Sequence, residues 1–322
     1  MEEKHIHSHE CGHYHSHHIH HGHHHHHHAE VNSSNLNKAF MWGIGLNTAF
    51  VIIEFIIGFL SNSVGLISDA GHNLSDVASL ILALMAFRVA KIHSNNKYTY
   101  GYKKMTIHVS LINAVILLVA VAFIIIESIH KLFVIEVVEG KMISITAAIG
   151  VLVNGLTAWL FMKDKEKDLN VKGAYLHMAA DALVSIGVVV SGVIIMLTGM
   201  YWIDGIIGLI VAAIIVFSTL DLLKNSTRLA LDGVPQGIDI DEITAGIKQI
   251  ENVKDIHHIH VWAISTTENS LTAHIKIDNI NDWEQTKRKI KDYLKHHHIS
   301  HCTLETEYSD SDCNEKKCYC SE

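Results

Sequence analysis

The chain has 322 residues, 49% of them hydrophobic, and a formal net charge of -8 with His counted as neutral. The acidic balance offers no basic patch for a phosphate backbone, so nucleic acid is not an expected partner. The five Cys make no disulfide framework, and the apolar residues gather in long uncharged runs that a water-soluble protein would not carry.

Residues 1–37 are of low complexity and rich in His, from His5-Ile6-His7 to the run His23 through His28, with Cys11 among them. Such a segment cannot bury enough apolar surface to fold alone, and it reads as a disordered metal-collecting tract. No cleavable leader is expected, because no apolar run precedes the first span. Residues 38–230 read as a membrane domain of six spans, at Ala39–Leu60, Val64–Val89, Met105–Leu132, Met142–Met162, Val171–Leu197 and Ile203–Leu223. Each reaches the roughly 20 residues that cross a hydrocarbon core. Lys and Arg collect between spans two and three (Arg88, Lys91, Lys97, Lys103 and Lys104), between four and five, and after six. The positive-inside rule then puts both termini in the cytoplasm.

Pro235, the only proline, marks the entry to a second domain over residues 231–309. Its pattern predicts a helix (Asp239–Ile250), two strands (Ile256–Ser265 and Ser270–Asp278), a helix (Trp283–His297) and a strand (Thr303–Tyr308). Leu271, Ala273, Ile275 and Ile277 alternate with polar residues, the period of a half-buried strand. The order suits a small α+β domain with its helices on one face of a sheet. So short a core points to support from a second copy, hence a homodimer. Residues 310–322 form a tail carrying Cys313, Cys318 and Cys320, suited to capture of zinc or copper or merely spare thiols.

Span two contains His72 and Asp76, and span five contains His177 and Asp181. Each pair is spaced i, i+4, which stacks both side chains on one helix face. Ionisable groups inside a membrane are costly and usually functional. Two imidazoles and two carboxylates facing one point supply the four ligands that tetrahedral zinc takes. A single His-Asp pair reads equally well as structural glue between helices; the repeated spacing on two spans favours a metal site. Glu54 and Asp69, also within spans, read as support for helix packing.

Several segments resemble the cation diffusion facilitator family. They are Asn47 to Glu54, Ser61-Asn62-Ser63, the stretch Ser68 to Asp76, Tyr98-Thr99-Tyr100-Gly101-Tyr102-Lys103, the His177/Asp181 pair, and Ile256 to Ser265. The resemblance implies six spans, a homodimer, a ferredoxin-like, metallochaperone-like cytoplasmic domain, and exchange of metal for protons. It also implies that two His with two Asp go with zinc preference. By the same resemblance, His257, His274, Glu305 and Glu307 fall near positions of bridging cytoplasmic metals, with His258, His260 and His301 as further imidazoles. The chain departs from the pattern at Lys103-Lys104, Thr106, His108 and Asp204-Gly205, which weakens any second metal site between spans two and three.

The expected protein is therefore a zinc efflux transporter working by proton-coupled alternating access in the inner membrane of a bacterium. Its partners are zinc ions, protons, the lipid bilayer and a second copy. No cofactor is expected; zinc is the substrate, with a regulatory role for a second zinc left open. An exporter of cobalt, cadmium, iron or manganese, or a membrane-anchored zinc sensor without transport, are the alternatives. Nothing in the chain resembles an enzyme's nucleophile-base pair or a phosphate loop.

Overall fold

In a computed structural model the described residues are 33–60, 64–133, 140–200 and 202–308. The His-rich tract over residues 1–32 and the Cys-bearing tail lie outside them. Among the described residues the first two thirds of the chain fold into six long helices: α1 (Ser33–Leu60), α2 (Val64–Ala90), α3 (Met105–Phe133), α4 (Gly140–Met162), α5 (Leu169–Thr198) and α6 (Trp202–Ala230). None contains proline, so no backbone donor is missing inside them. At 23 to 30 residues each helix is about 35–45 Å long, more than a hydrocarbon core of about 30 Å.

The membrane assignment rests on where the apolar residues go. Phe59, Phe123 and Phe217 are 70%, 67% and 76% exposed, while Asn47, Glu54, Asn73, Asp76 and His177 are buried. That is the reverse of a water-soluble fold, and it suits helices bathed in lipid around a polar interior. Among the described residues, four helices are long and apolar enough to cross: the stretches Asn37–Ile57, Met105–Phe133, Leu169–Ile195 and Gly205–Ala230. A shorter apolar stretch, Ala148–Met162, belongs to α4. Helix α2 is less apolar because Asp69, His72, Asn73 and Asp76 interrupt it.

Helix α5 is central, packing against α2, α3, α4 and α6. Phe40, Leu80, Phe161 and Met178 close one apolar cluster between α1, α2, α4 and α5. Leu117, Val121, Ala180 and Ala212 close another between α3, α5 and α6. Polar bonds fix the pairings: Asn47 Nδ2 donates to Thr157 Oγ1 at 3.1 Å between α1 and α4, and Ser110 and Ser226 share a 2.8 Å bond between α3 and α6. On α6, Gly205 and Gly208 let α3 approach closely. A Cβ on Gly208 would collide with Oγ of Ser128, and one on Gly205 would lie 2.6 Å from the Ser128 carbonyl oxygen. Helix α6 outlasts its apolar run, which sequence ended at Leu223, because Ser226 bonds α3 and Leu229 is buried.

The remaining chain forms α7 (Ile240–Lys248), β1 (Val253–Ala263), β2 (Asn269–Ile277), α8 (Trp283–His296) and β3 (Ile299–Tyr308). The sheet order is β1-β2-β3, with β1 antiparallel and β3 parallel to β2. The expected α+β domain is thus a three-stranded sheet in which the two strands flanking α8 are parallel neighbours. Helix α7 starts at Asp239, whose side chain accepts from the N–H groups of Asp241 and Glu242. Ile243, Ile247, Ile290 and Leu294 from the helices meet Leu271, Ile275 and Ile277 from the sheet. Strand β3 begins at Ile299, earlier than the expected Thr303, because Ile299 is buried and pairs with Asn269.

Candidate metal centre

Helix α2 brings Asp76 and helix α5 brings His177 and Asp181 to one point inside the bundle. Nε2 of His177 lies 2.6 Å from Oδ1 of Asp76, within hydrogen-bond distance. Asp76 is 1% and His177 is 7% exposed. A ligand atom from each of Asp76, His177 and Asp181 lies within 4.8 Å of the others. Among the described residues, Oδ2 of Asp76 is buried without a hydrogen-bond partner. A buried oxygen of that kind is costly unless something else binds it, and a cation does so. The backbone of His72 lies one turn before Asp76 on α2; its side chain is outside the described residues. Three of the four expected ligands are thus brought together by two helices that share no sequence neighbourhood.

Asn73 and Glu54 add a support that spacing did not reveal. Nδ2 of Asn73 donates to Oε2 of Glu54 at 2.6 Å, with Glu54 on α1 and both residues buried. The bond ties α2 to α1 about one turn before Asp76. A carboxylate in span one was a visible signal for a buried partner, but the sequence did not name Asn73.

A second cluster lies on the sheet face opposite the helices. In the β1–β2 register His257 sits opposite His274, and in the β2–β3 register His274 sits opposite Glu305. Between His257 and His260 strand β1 carries a bulge, with His258 at φ +50°. A bulge redirects side chains, and here the His258 ring stacks on His274 at 4.8 Å between centroids. Nδ1 of His274 donates to Oε1 of Glu307 at 2.8 Å, and Nε2 of His257 lies 3.4 Å from the same oxygen. Burial pushes the Glu307 carboxyl up, but the hydrogen bond from His274 and the nearby imidazole charges outweigh it and hold it below its ordinary value. His257, His274 and Glu307 each offer a ligand atom within 4.8 Å of the others. Glu305 stands at the rim, its Oε2 3.5 Å from Nε2 of His274. His260 is exposed, and His301 packs edge-on against Tyr100 at 5.5 Å between centroids, away from the cluster. Asp255, two residues before His257, has Oδ2 3.8 Å from its Nδ1.

A sequence profile for the cation efflux transmembrane domain matches residues 41–229 of the chain. The chain belongs to the cation efflux family. A second profile, for the cytoplasmic domain of cation efflux proteins, matches residues 235–308. The sequence resemblance to cation diffusion facilitators therefore holds over both the helical bundle and the small α+β domain. The chain is 37% identical to a cadmium, cobalt and zinc/H(+)-K(+) antiporter of Bacillus subtilis (strain 168), over 81% of this chain and 85% of that protein. It is 32% identical to the zinc transporter ZitB of Escherichia coli (strain K12), over 89% of this chain and 92% of that protein. It is also 32% identical to the metal cation efflux system protein CzcD of Cupriavidus metallidurans, over 82% of this chain and 84% of that protein. As a member of this family, the chain is an integral membrane cation transporter.

Proposed function

We propose that the protein exports zinc in exchange for protons, binding the ion with Asp76, His177 and Asp181 and with His72 as fourth ligand. The observation that carries this reading is the 2.6 Å contact between Nε2 of His177 and Oδ1 of Asp76 inside a buried imidazole–carboxylate triangle, a contact that takes one shared proton when no metal is bound. Zinc with bonds of about 2.0–2.2 Å keeps tetrahedral ligand atoms about 3.3 Å apart. Seating zinc therefore needs the 2.6 Å contact to open by about 0.7 Å and to lose its proton. One proton leaves where one cation enters, so metal and proton compete for the same atoms. Imidazole titrates near neutral pH, which suits reversible exchange. An imidazole-containing set also fits zinc and cobalt better than manganese.

The printed names of the relatives, which include zinc, cadmium and cobalt, support a soft to borderline divalent cargo. Their bacterial sources support a bacterial inner membrane, and the distribution of Lys and Arg supports cytoplasmic termini. The cluster of His257, His274 and Glu307, with Glu305 beside it, is read as a second, regulatory zinc site. The sheet face that bears it is read as the side where a second copy packs.

The test is uptake of zinc, cadmium, cobalt and manganese into proteoliposomes holding the full chain. Zinc flux is expected in the unaltered protein and none above background with Asp181→Ala. Zinc flux equal to the unaltered rate in Asp181→Ala would contradict the assignment of the site.

A further inference from the structure

The turn between β1 and β2 does more than connect strands. Ser265 Oγ accepts from the N–H groups of Thr267 and Glu268 at 3.2 and 3.0 Å, and the N–H of Ile264 donates to the carbonyl of Glu268 at 2.8 Å. The turn is thus shaped by its own bonds, and its tip rests on the membrane domain. There the hydroxyl of Thr266 donates to Oδ2 of Asp168 in a short hydrogen bond. The N–H of Thr266 donates to Oγ1 of Thr106 at 3.1 Å.

Asp168 is the residue that starts α5. Its Oδ1 accepts from the N–H groups of Asn170 and Val171 at 2.7 and 3.2 Å. Capping the helix uses one carboxylate oxygen; the other is bound by the cytoplasmic domain. Asn170 Nδ2 in turn donates to the carbonyl of Thr106 at 3.0 Å, joining α5 to the start of α3. Asp168 and Thr106 are each 3% exposed and Asn170 is fully buried. Ile107, Leu229 and Ala263 pack beside them, and Lys103 Nζ meets Glu268 at 2.6 Å at the rim. These bonds span up to 165 positions of sequence, so no local propensity explains them.

From this geometry we propose that Thr266 and Asp168 are positioning residues for the transport site. Neither touches the proposed metal. Helix α5 runs unbroken from Leu169 to Thr198, and His177 lies about 14 Å along it from Asp168. A helix without a kink moves as one piece over that distance, so the setting of its first turn is also the setting of His177 and Asp181 against Asp76. The same turn holds α3 through Thr106, which clamps the entry ends of two helices together. The proposal rests on the zinc-site reading above, and its test separates the two.

The test uses the full chain in proteoliposomes, with hydrogen exchange read along α5 and zinc flux read in parallel. Thr266→Val keeps the shape and removes the hydroxyl; Thr266→Ser keeps the hydroxyl; Thr266→Ala replaces Thr266→Val if that variant does not fold. Without metal, the amides of Asn170 and Val171 should exchange about 3- to 10-fold faster in Thr266→Val, the range expected for one lost hydrogen bond. The zinc concentration that half-protects the segment from His177 to Asp181, and the zinc KM for flux, should rise by about threefold or more, again the scale of one hydrogen bond. Turnover at saturating zinc should change by less than about twofold, because only ligand placement is altered. Thr266→Ser should restore all of these. Unchanged first-turn exchange, or faster exchange with an unchanged half-protecting zinc concentration and KM, would overturn the proposal. Zinc that protects nothing on α5 of the unaltered protein would sink the zinc-site reading and this proposal with it, whereas the two preceding outcomes overturn the proposal and leave the zinc-site reading intact.

Discussion

Asp76 is 1% exposed on a helix surrounded by lipid-facing side chains, and a carboxylate in that place needs a counterpart. His177 supplies it at 2.6 Å, and Asp181 stands one turn further along the same face of α5. If the three groups act on one ion, as proposed, removal of any one should stop transport while the packing of α5 survives. His177→Ala and Asp181→Ala should each reduce zinc flux to background with the protein still folded and assembled, as size-exclusion chromatography would check. His72 is predicted to set selectivity. His72→Asp removes an imidazole and makes the site harder, so the ratio of cadmium and manganese flux to zinc flux should rise. Unchanged ratios across the three metals would remove His72 from control of selectivity. At this scale the i, i+4 spacing made the grouping of Asp76 with His177 and Asp181 legible, since helix periodicity puts His177 and Asp181 on one face. The Asn73–Glu54 bond was not legible, because nothing local in either helix specifies which buried amide meets which carboxylate.

Helix α6 approaches α3 over Gly205 and Gly208, and the space a side chain would need at Gly208 is taken by Ser128. Gly208→Val should therefore destabilise the bundle by about 1–3 kcal/mol, the usual cost of overpacking. It should show as a lower midpoint in thermal unfolding in detergent, whereas Gly155→Ala, at a position with open space around it, should leave the midpoint nearly unchanged. In the cytoplasmic domain, strand β2 was legible from its strict alternation. The bulge in β1 was not, because a one-residue insertion leaves the hydrophobic pattern nearly intact while re-aiming His258. Its consequence is a tight group of imidazoles around Glu307. If that group binds zinc, ligand linkage should stabilise the domain by about 2.7 kcal/mol at a free zinc concentration 100 times the dissociation constant. His274→Ala should abolish the zinc-dependent rise in the unfolding midpoint of the cytoplasmic domain, and addition of a chelator should do the same to the unaltered protein. A zinc-dependent rise of full size in His274→Ala would place the metal elsewhere.

The whole molecule joins a lipid-facing bundle to a small α+β domain, and both were readable from composition because lipid and water select different surfaces. Long apolar runs marked the bundle, and Pro235 with the onset of alternation marked the second domain. What composition could not give is how the two meet, since the bonds of Thr266 to Thr106 and Asp168 join residues remote in sequence. On the proposed mechanism, zinc and protons compete for the atoms of Asp76 and His177 that lie 2.6 Å apart. That competition is tested most directly by recording zinc and pH together in sealed proteoliposomes of known orientation. Zinc leaving the cytoplasmic side should be matched by protons arriving there, and a gradient acidic on the opposite side should speed export. Lowering the pH on both sides well below the ordinary imidazole value of about 6.5 should slow zinc loading. Zinc flux with no counter-movement of protons, unaltered when the pH gradient is collapsed, would contradict the account.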